Sequence, residues 1–167
     1  MKLFSERLVC YPATAEDFEY YFLLAGNDSV MKHITGDSID REKAKARYNT
    51  VLENREGHPE AGYYWVRDKY DNTFMGLVKL ELVEPGVLEL GYSLLPEFWG
   101  KGFTSEIVKE IMTYVRTLRH VNKMIGIIDP ENGPSKTILL KLGFEFFKKG
   151  KYQDQAAEYY HLKLEKE

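Results

Sequence analysis

The decapeptide Pro96-Glu97-Phe98-Trp99-Gly100-Lys101-Gly102-Phe103-Thr104-Ser105 is the segment whose residue types point most directly to chemistry. It falls between a stretch that alternates like a strand and one with helical spacing. Gly100 and Gly102 let the backbone come close to a ligand. The first turn of the following helix presents unpaired N–H groups at the positive end of the helix dipole, which suits a phosphate or pyrophosphate. Lys101 adds charge at the rim. The bland alternative is a glycine-rich connection that binds nothing. Two other phosphate patterns do not fit. A Walker P-loop has Gly five residues before its Gly-Lys pair and Ser or Thr after it, whereas Leu95 and Gly102 stand there. A dinucleotide fingerprint starting at Gly100 meets Ser105 at its third glycine, and the chain lacks the alternating βαβ series of a Rossmann domain.

The elements that position this turn follow from periodicity. A short strand over 7–11 precedes a helix that Thr14 caps and that carries Phe18, Tyr21, Phe22 and Leu24 before ending near Gly26. Residues 27–36 read as a loop. A second helix, 39–55, follows Asp37 and Ser38 as caps and shows Ala44, Tyr48, Val51 and Leu52 as its apolar stripe. Strands over 63–67, 74–83 and 87–95 then form an antiparallel meander. Residues 96–102 are a loop, and 104–119 a helix with Ile107, Val108, Ile111, Met112, Val115 and Leu118 on one face. Residues 123–128 read as a buried strand, and 134–142 as a short helix led by Pro134 and followed by Gly143. Strands over 144–148 and 159–164 close the chain. The order predicts one α/β domain over 1–167, with a mixed, largely antiparallel sheet flanked by helices on both faces. Residues 87–128 should make a right-handed parallel crossover.

Composition narrows the function classes. A net charge of −3 argues against a dedicated nucleic-acid binder, so Lys148-Lys149-Gly150-Lys151 reads as a solvated hairpin. The one cysteine, Cys10, excludes an internal disulfide and reads as a small core residue. The four histidines are scattered without metal-ligand spacing, so no metal is expected. No apolar run matches a membrane span, and the opening residues lack the apolar centre of a signal peptide, which makes the cytoplasm the expected compartment.

The turn resembles motif A of the GNAT superfamily of N-acetyltransferases, written Gln/Arg-x-x-Gly-x-Gly/Ala. Trp99 stands at the Gln/Arg position, Gly102 at the central glycine and Thr104 at the last position. The Trp-Gly-Lys-Gly-aromatic form looks like the ribosomal-protein N-terminal acetyltransferases. Ser5-Glu6-Arg7-Leu8 and Pro12-Ala13-Thr14-Ala15-Glu16-Asp17 are similar to that subfamily's opening. Leu88-Glu89-Leu90-Gly91-Tyr92-Ser93-Leu94 is similar to its central strand. Glu131-Asn132-Gly133-Pro134-Ser135 and Leu142-Gly143-Phe144 are similar to its motif B. The matches run in the expected order over nearly the whole chain.

The resemblance implies the acyl-CoA N-acyltransferase fold and transfer of an acetyl group from acetyl-CoA to a primary amine. Trp99, Gly100, Lys101, Gly102, Phe103 and Thr104 are then expected at the pyrophosphate. The backbone of Ser93, Leu94 and Leu95, where two strands splay, is expected along the pantetheine arm and the acetyl oxygen. Asn132 becomes a cofactor contact and Ser135 the candidate proton donor to the departing thiolate, with Tyr92 as a rival. Strand alternation sets Val87, Glu89, Gly91, Ser93 and Leu95 on one face, which makes Glu89 the candidate general base; the bland alternative is a solvent-facing glutamate like Glu81. The expected acceptor is a protein N-terminal amine, with a polyamine or aminoglycoside as the alternative. A non-catalytic acyl-CoA-binding module is the competing class. Acceptor identity should reside in 27–36, the second helix and the C-terminal hairpin, where Asp28, Asp37, Asp40, Glu42, Glu53 and Glu56 mix with lysines and arginines and form no clear acidic trap. Similar proteins suggest a homodimer.

Overall fold

Eight strands and five helices form along the chain in the computed structural model, which describes residues 2–55 and 57–165. Glu56, weighed above among the acidic residues, lies outside the described residues, as does Met1. The strands are β1 (Leu3–Phe4), β2 (Leu8–Pro12), β3 (Gly62–Asp68), β4 (Phe74–Glu84), β5 (Val87–Leu94), β6 (Lys123–Ile128), β7 (Glu145–Tyr152) and β8 (Gln155–Lys163). The helices are α1 (Phe18–Ala25), α2 (Asp28–Met31), α3 (Arg41–Glu53), α4 (Phe103–Thr117) and α5 (Gly133–Lys141). The strands make one sheet in the order β1-β2-β3-β4-β5-β6-β8-β7. Among the described residues only β5 and β6 pair in parallel, joined through α4. The expected mixed, largely antiparallel sheet is the one observed.

Helices cover both faces. On one, Leu88, Leu90 and Leu94 of β5 meet Ile107, Val108, Ile111, Met112 and Val115 of α4. Cys10 belongs to this core, and burial pushes its thiol up to about 12, as expected of an inert core residue. On the other face, α1 and α3 pack an aromatic cluster of Phe18, Tyr21, Tyr48, Tyr63, Trp65 and Phe74. No helix among the described residues is long and apolar enough to cross a membrane.

Four local expectations are corrected. Residues 27–36 are not all loop, because the Asn27 side chain accepts from the Val30 N–H at 3.2 Å and starts α2. The next helix begins at Arg41 rather than residue 39, because Asp40 accepts from the Lys43 N–H at 2.9 Å and outcompetes Asp37 and Ser38 as cap. The strand expected over 144–148 runs on to Tyr152 as β7, so the lysine run 148–151, exposed and part of a hairpin as expected, lies in the strand, and the turn falls at Gln153 and Asp154, with φ of 48° and 64°. The connection 96–102 contains a 3₁₀ turn at Pro96–Phe98.

Candidate active site

The site begins where two strands part. The parallel pairing runs Val87 with Lys123, Leu88 with Met124 and Glu89 with Ile125, and ends there, while β6 continues against β8. Beyond Glu89, the β6-facing edge of β5 has no partner in that ladder. A cavity of about 470 Å³ opens at the gap, lined by residues from both cores, Tyr21 and Tyr63 on one side and Tyr92 and Leu139 on the other. Glu89, Ser93, Asn132 and Ser135 all line it.

The backbone of β5 refines the expectation for 93–95. The Leu95 N–H donates to the Met75 carbonyl at 2.8 Å, so it is no open donor. The Ser93 carbonyl likewise faces β4, where an added Cβ on Gly76 would meet it at 2.1 Å. Strand alternation then turns the N–H groups of Tyr92 and Leu94 to the open edge.

Glu89 is 7% exposed, not solvent-facing. It stands directly opposite Glu81 in the antiparallel ladder. Lys79 resolves the repulsion, its Nζ lying 2.8 Å from Glu81 Oε2 and 2.9 Å from Glu89 Oε1. Burial works against the ammonium, but the two carboxylates outweigh it and hold the Lys79 pKa above its ordinary value. Sequence reasoning missed Lys79, because its partners depend on register; the signal was Lys-x-Glu on one strand facing Glu-x-Gly on the next.

Ser135 and Asn132 sit at the start of α5. The Asn132 side-chain oxygen accepts from the Ser135 N–H at 3.2 Å and caps the helix. Ser135 is 8% exposed. Tyr92 Oη lies 2.9 Å from Ser135 Oγ and donates to the Ser135 carbonyl at 3.2 Å. Burial pushes the Tyr92 phenol up to about 12, against the pull of the Ser135 contact. Tyr92 packs against the core that holds Leu88, Leu90, Leu94 and Leu139, and from that face its hydroxyl reaches Ser135 of α5.

The turn at 99–104 adjoins this gap without lining the cavity. Gly100 and Gly102 take φ of 71° and 78°, the left-handed region that favours glycine. Gly102 is the N-cap of α4 and offers no side chain, and the first intrahelical bond is Glu106 N–H to the Gly102 carbonyl at 3.1 Å. The N–H groups of Phe103, Thr104 and Ser105 therefore precede the helical ladder, uncapped. A Cβ at Gly100 would meet nothing within 4 Å, so the outer side of the turn is open. The Trp99 indole N–H donates to the Leu94 carbonyl at 2.7 Å, tying the turn to β5. Lys101 Nζ donates to the Glu97 carbonyl at 2.9 Å. Open N–H groups here and on β5 fit a diphosphate continuing into an amide-bearing arm, as the implied cofactor has.

Arg7, noted only as part of the opening motif, braces this turn. Its Nε donates to Glu106 Oε2 at 2.7 Å and Nη1 to the Lys101 carbonyl at 3.2 Å, and its guanidinium lies 4.3 Å from the Phe103 ring centroid. Burial disfavours the Glu106 carboxylate, yet hydrogen bonds from Ser5 and Arg7 hold its pKa below the ordinary value.

At the cavity rim, Arg47 of α3 donates to Gln153 Oε1 at 2.8 Å and Gln155 Nε2 to the Thr35 carbonyl at 2.7 Å, so the β7–β8 turn is tied to the helical side. His33 Nδ1 lies 2.7 Å from Asp129 Oδ2 nearby. Among the described residues no cluster of His, Cys, Asp or Glu has the arrangement to hold a metal ion.

Comparison with known proteins supplies the family. Residues 7–145 match the family model described as an acetyltransferase (GNAT) domain. The uncharacterised N-acetyltransferase YnaD of Bacillus subtilis (strain 168) is 27% identical over 172 residues, covering 100% of this chain and 99% of its own. Spermidine N(1)-acetyltransferase of Escherichia coli (strain K12) is 29% identical over 155 residues, 86% of this chain and 80% of its own. Among solved structures, RimL, a ribosomal L7/L12 alpha-N-protein acetyltransferase in complex with coenzyme A, shares the fold with a TM-score of 0.81 at 15% identity, covering 96% of each chain.

Proposed function

The chain belongs to the GNAT acetyltransferase family and is an N-acetyltransferase; on that premise we propose that it acetylates the N-terminal amine of a protein by direct attack, with Glu89 as general base. The observation that carries this reading is that Glu89, Ser93, Asn132 and Ser135 line one cavity at the mouth of the β5–β6 gap. Acetyl-CoA supplies an activated acyl group as a thioester. The first-turn N–H groups of α4 and the 99–104 turn would hold its pyrophosphate, and the open edge of β5 its pantetheine arm. The N–H groups of Tyr92 and Leu94 would face the acetyl oxygen as it gains charge. Glu89 would take the proton from the acceptor nitrogen, and Ser135, with Tyr92 beside it, would donate to the departing sulfur.

A small polyamine is the second reading, favoured by the identity with the spermidine enzyme. The cavity's charges weigh against it. Of its carboxylates, Glu81 and Glu89 share Lys79 and Asp129 is paired with His33, so the cavity presents no open cluster of carboxylates for a polycation. The test is thiol release from acetyl-CoA with serine- or alanine-terminated peptides, spermidine and an aminoglycoside. Release on peptides alone supports the first reading. Release on spermidine alone replaces it. Tight acetyl-CoA binding without release on any acceptor points to a non-catalytic module.

A further inference from the structure

The cavity holds more buried charge than a general base requires. Lys79 bridges Glu81 and Glu89, and its stem crosses Gly91, the residue paired with it on β5. The Lys79 ε-carbon lies 3.4 Å from where a Gly91 Cβ would stand, so the lysine stem packs along the strand at Gly91. Tyr63 of β3, Tyr21 of α1, Arg47 of α3 and Tyr152 of β7 also face this space, with His33 and Asp129 paired further along the wall. Arg47 is engaged with Gln153, so Lys79 is the cation in contact with both carboxylates.

This geometry poses a difficulty and contains its solution. An ammonium on one oxygen of a carboxylate lowers its basicity toward a second nitrogen, and Lys79 holds Glu89 Oε1 in this way. Lys79, however, has two carboxylate partners, so it can release one without becoming an unpaired buried charge. Resting on the assignment of Glu89 as base, we propose that Lys79 is a transferable counter-ion. An acceptor entering as a primary ammonium takes the place against Glu89 that Lys79 holds in its absence, while Lys79 stays on Glu81. The acceptor N–H bond then breaks as the Glu89 O–H bond forms, the lone pair of the neutral amine makes the N–C bond, and as the C–S bond breaks the proton left on the nitrogen passes through the Ser135 hydroxyl to the departing sulfur. Before the acceptor arrives, Lys79 fills the place against Glu89, so Glu89 is not left as an unpaired buried charge. Glu81, which looked like a surface residue in the sequence, is the holding position.

The experiment is the pH dependence of kcat/KM on the full chain at saturating acetyl-CoA, with a serine-terminated peptide and, separately, spermidine as acceptors. An adjacent cation favours the ionised carboxylate and an adjacent anion opposes it. Lys79→Met should therefore move the acid limb upward by about one pH unit. Glu81→Gln frees Lys79 to bind Glu89 alone, so the limb should move downward and the acceptor KM should rise several-fold, with the acetyl-CoA KM unchanged. Glu81→Gln is nearly isosteric and carries the test if Lys79→Met does not fold. Acid limbs that stay in place while Glu89→Gln is inactive would overturn the counter-ion and spare the base. Wild-type kcat/KM in Glu89→Gln at every pH, or no turnover of either acceptor, would overturn both.

Discussion

Glu89 illustrates how a single side chain acquires a role from its neighbours. Alternation placed it on the face of Ser93, and that part was legible. Its burial and its pairing with Lys79 were not, because they depend on β4 and β5 aligning Glu81 with Glu89. With Glu89 as the proposed base, Glu89→Gln keeps the shape and removes the proton acceptor, and turnover should fall by about 10²–10⁴-fold in steady-state assays. The hydroxyl proposed as the acid contributes less. Ser135→Ala should lower kcat by about tenfold, at the weak end of acid catalysis, and leave the acetyl-CoA KM close to wild type. Tyr92→Phe should lower kcat in the same sense, since the phenol is what touches Ser135 Oγ. That contact was hidden in the sequence: it spans 43 positions and crosses a gap that periodicity cannot show.

Among the elements, the strand–turn–helix passage from β5 to α4 was the most legible, since two glycines before a strongly periodic helix leave few alternatives. What the sequence did not reveal is how the turn is held. Its indole, lysine and arginine side chains all bond to backbone carbonyls, at Leu94, Glu97 and Lys101. Arg7→Gln removes the brace from β2 to α4, and the acetyl-CoA KM should rise several-fold with kcat retained. Gly102→Ala forces a left-handed backbone on an L-residue at a cost of about 1–2 kcal/mol and should weaken acetyl-CoA in equilibrium titration. Helix starts were less legible. Asp37, Ser38 and Asp40 are all good caps, and the choice among them is made by tertiary geometry, with Ser38 N–H donating to Asp28 Oδ1 at 3.0 Å.

Across the whole molecule, the sheet and its two covered faces were legible because each strand and long helix carries its own pattern. The gap was not, because it depends on where one parallel pairing stops. A second polar cluster was equally invisible. Glu60, 3% exposed, meets His120 Nε2 at 2.8 Å and His58 Nδ1 at 3.7 Å, joining the entry to β3 with the connection after α4. Burial disfavours its carboxylate, but hydrogen bonds from its own backbone and from His120 and the charges of both histidines hold its pKa below the ordinary value. A depressed carboxyl stabilises the fold above the unfolded-state value of about 4.3 and ceases to as pH falls past its folded value. Glu60→Gln should thus lower the Tm at pH 7, and the gap from wild type should shrink as thermal melts are moved to pH of about 4 and below.

The rim of the cavity governs traffic. Its two exposed bonds, Arg47 to Gln153 and Gln155 to Thr35, tie the β7–β8 turn to the helical side and are worth about 1 kcal/mol each, so parting both costs about 2 kcal/mol. Loop motions of nanoseconds to microseconds outpace a turnover of about 10 per second, so admission does not limit the rate. What the two ties limit is wandering of the β7–β8 turn, so an acceptor meets a rim of fixed shape. Arg47→Ala should raise the acceptor KM in steady-state assays and leave kcat close to wild type.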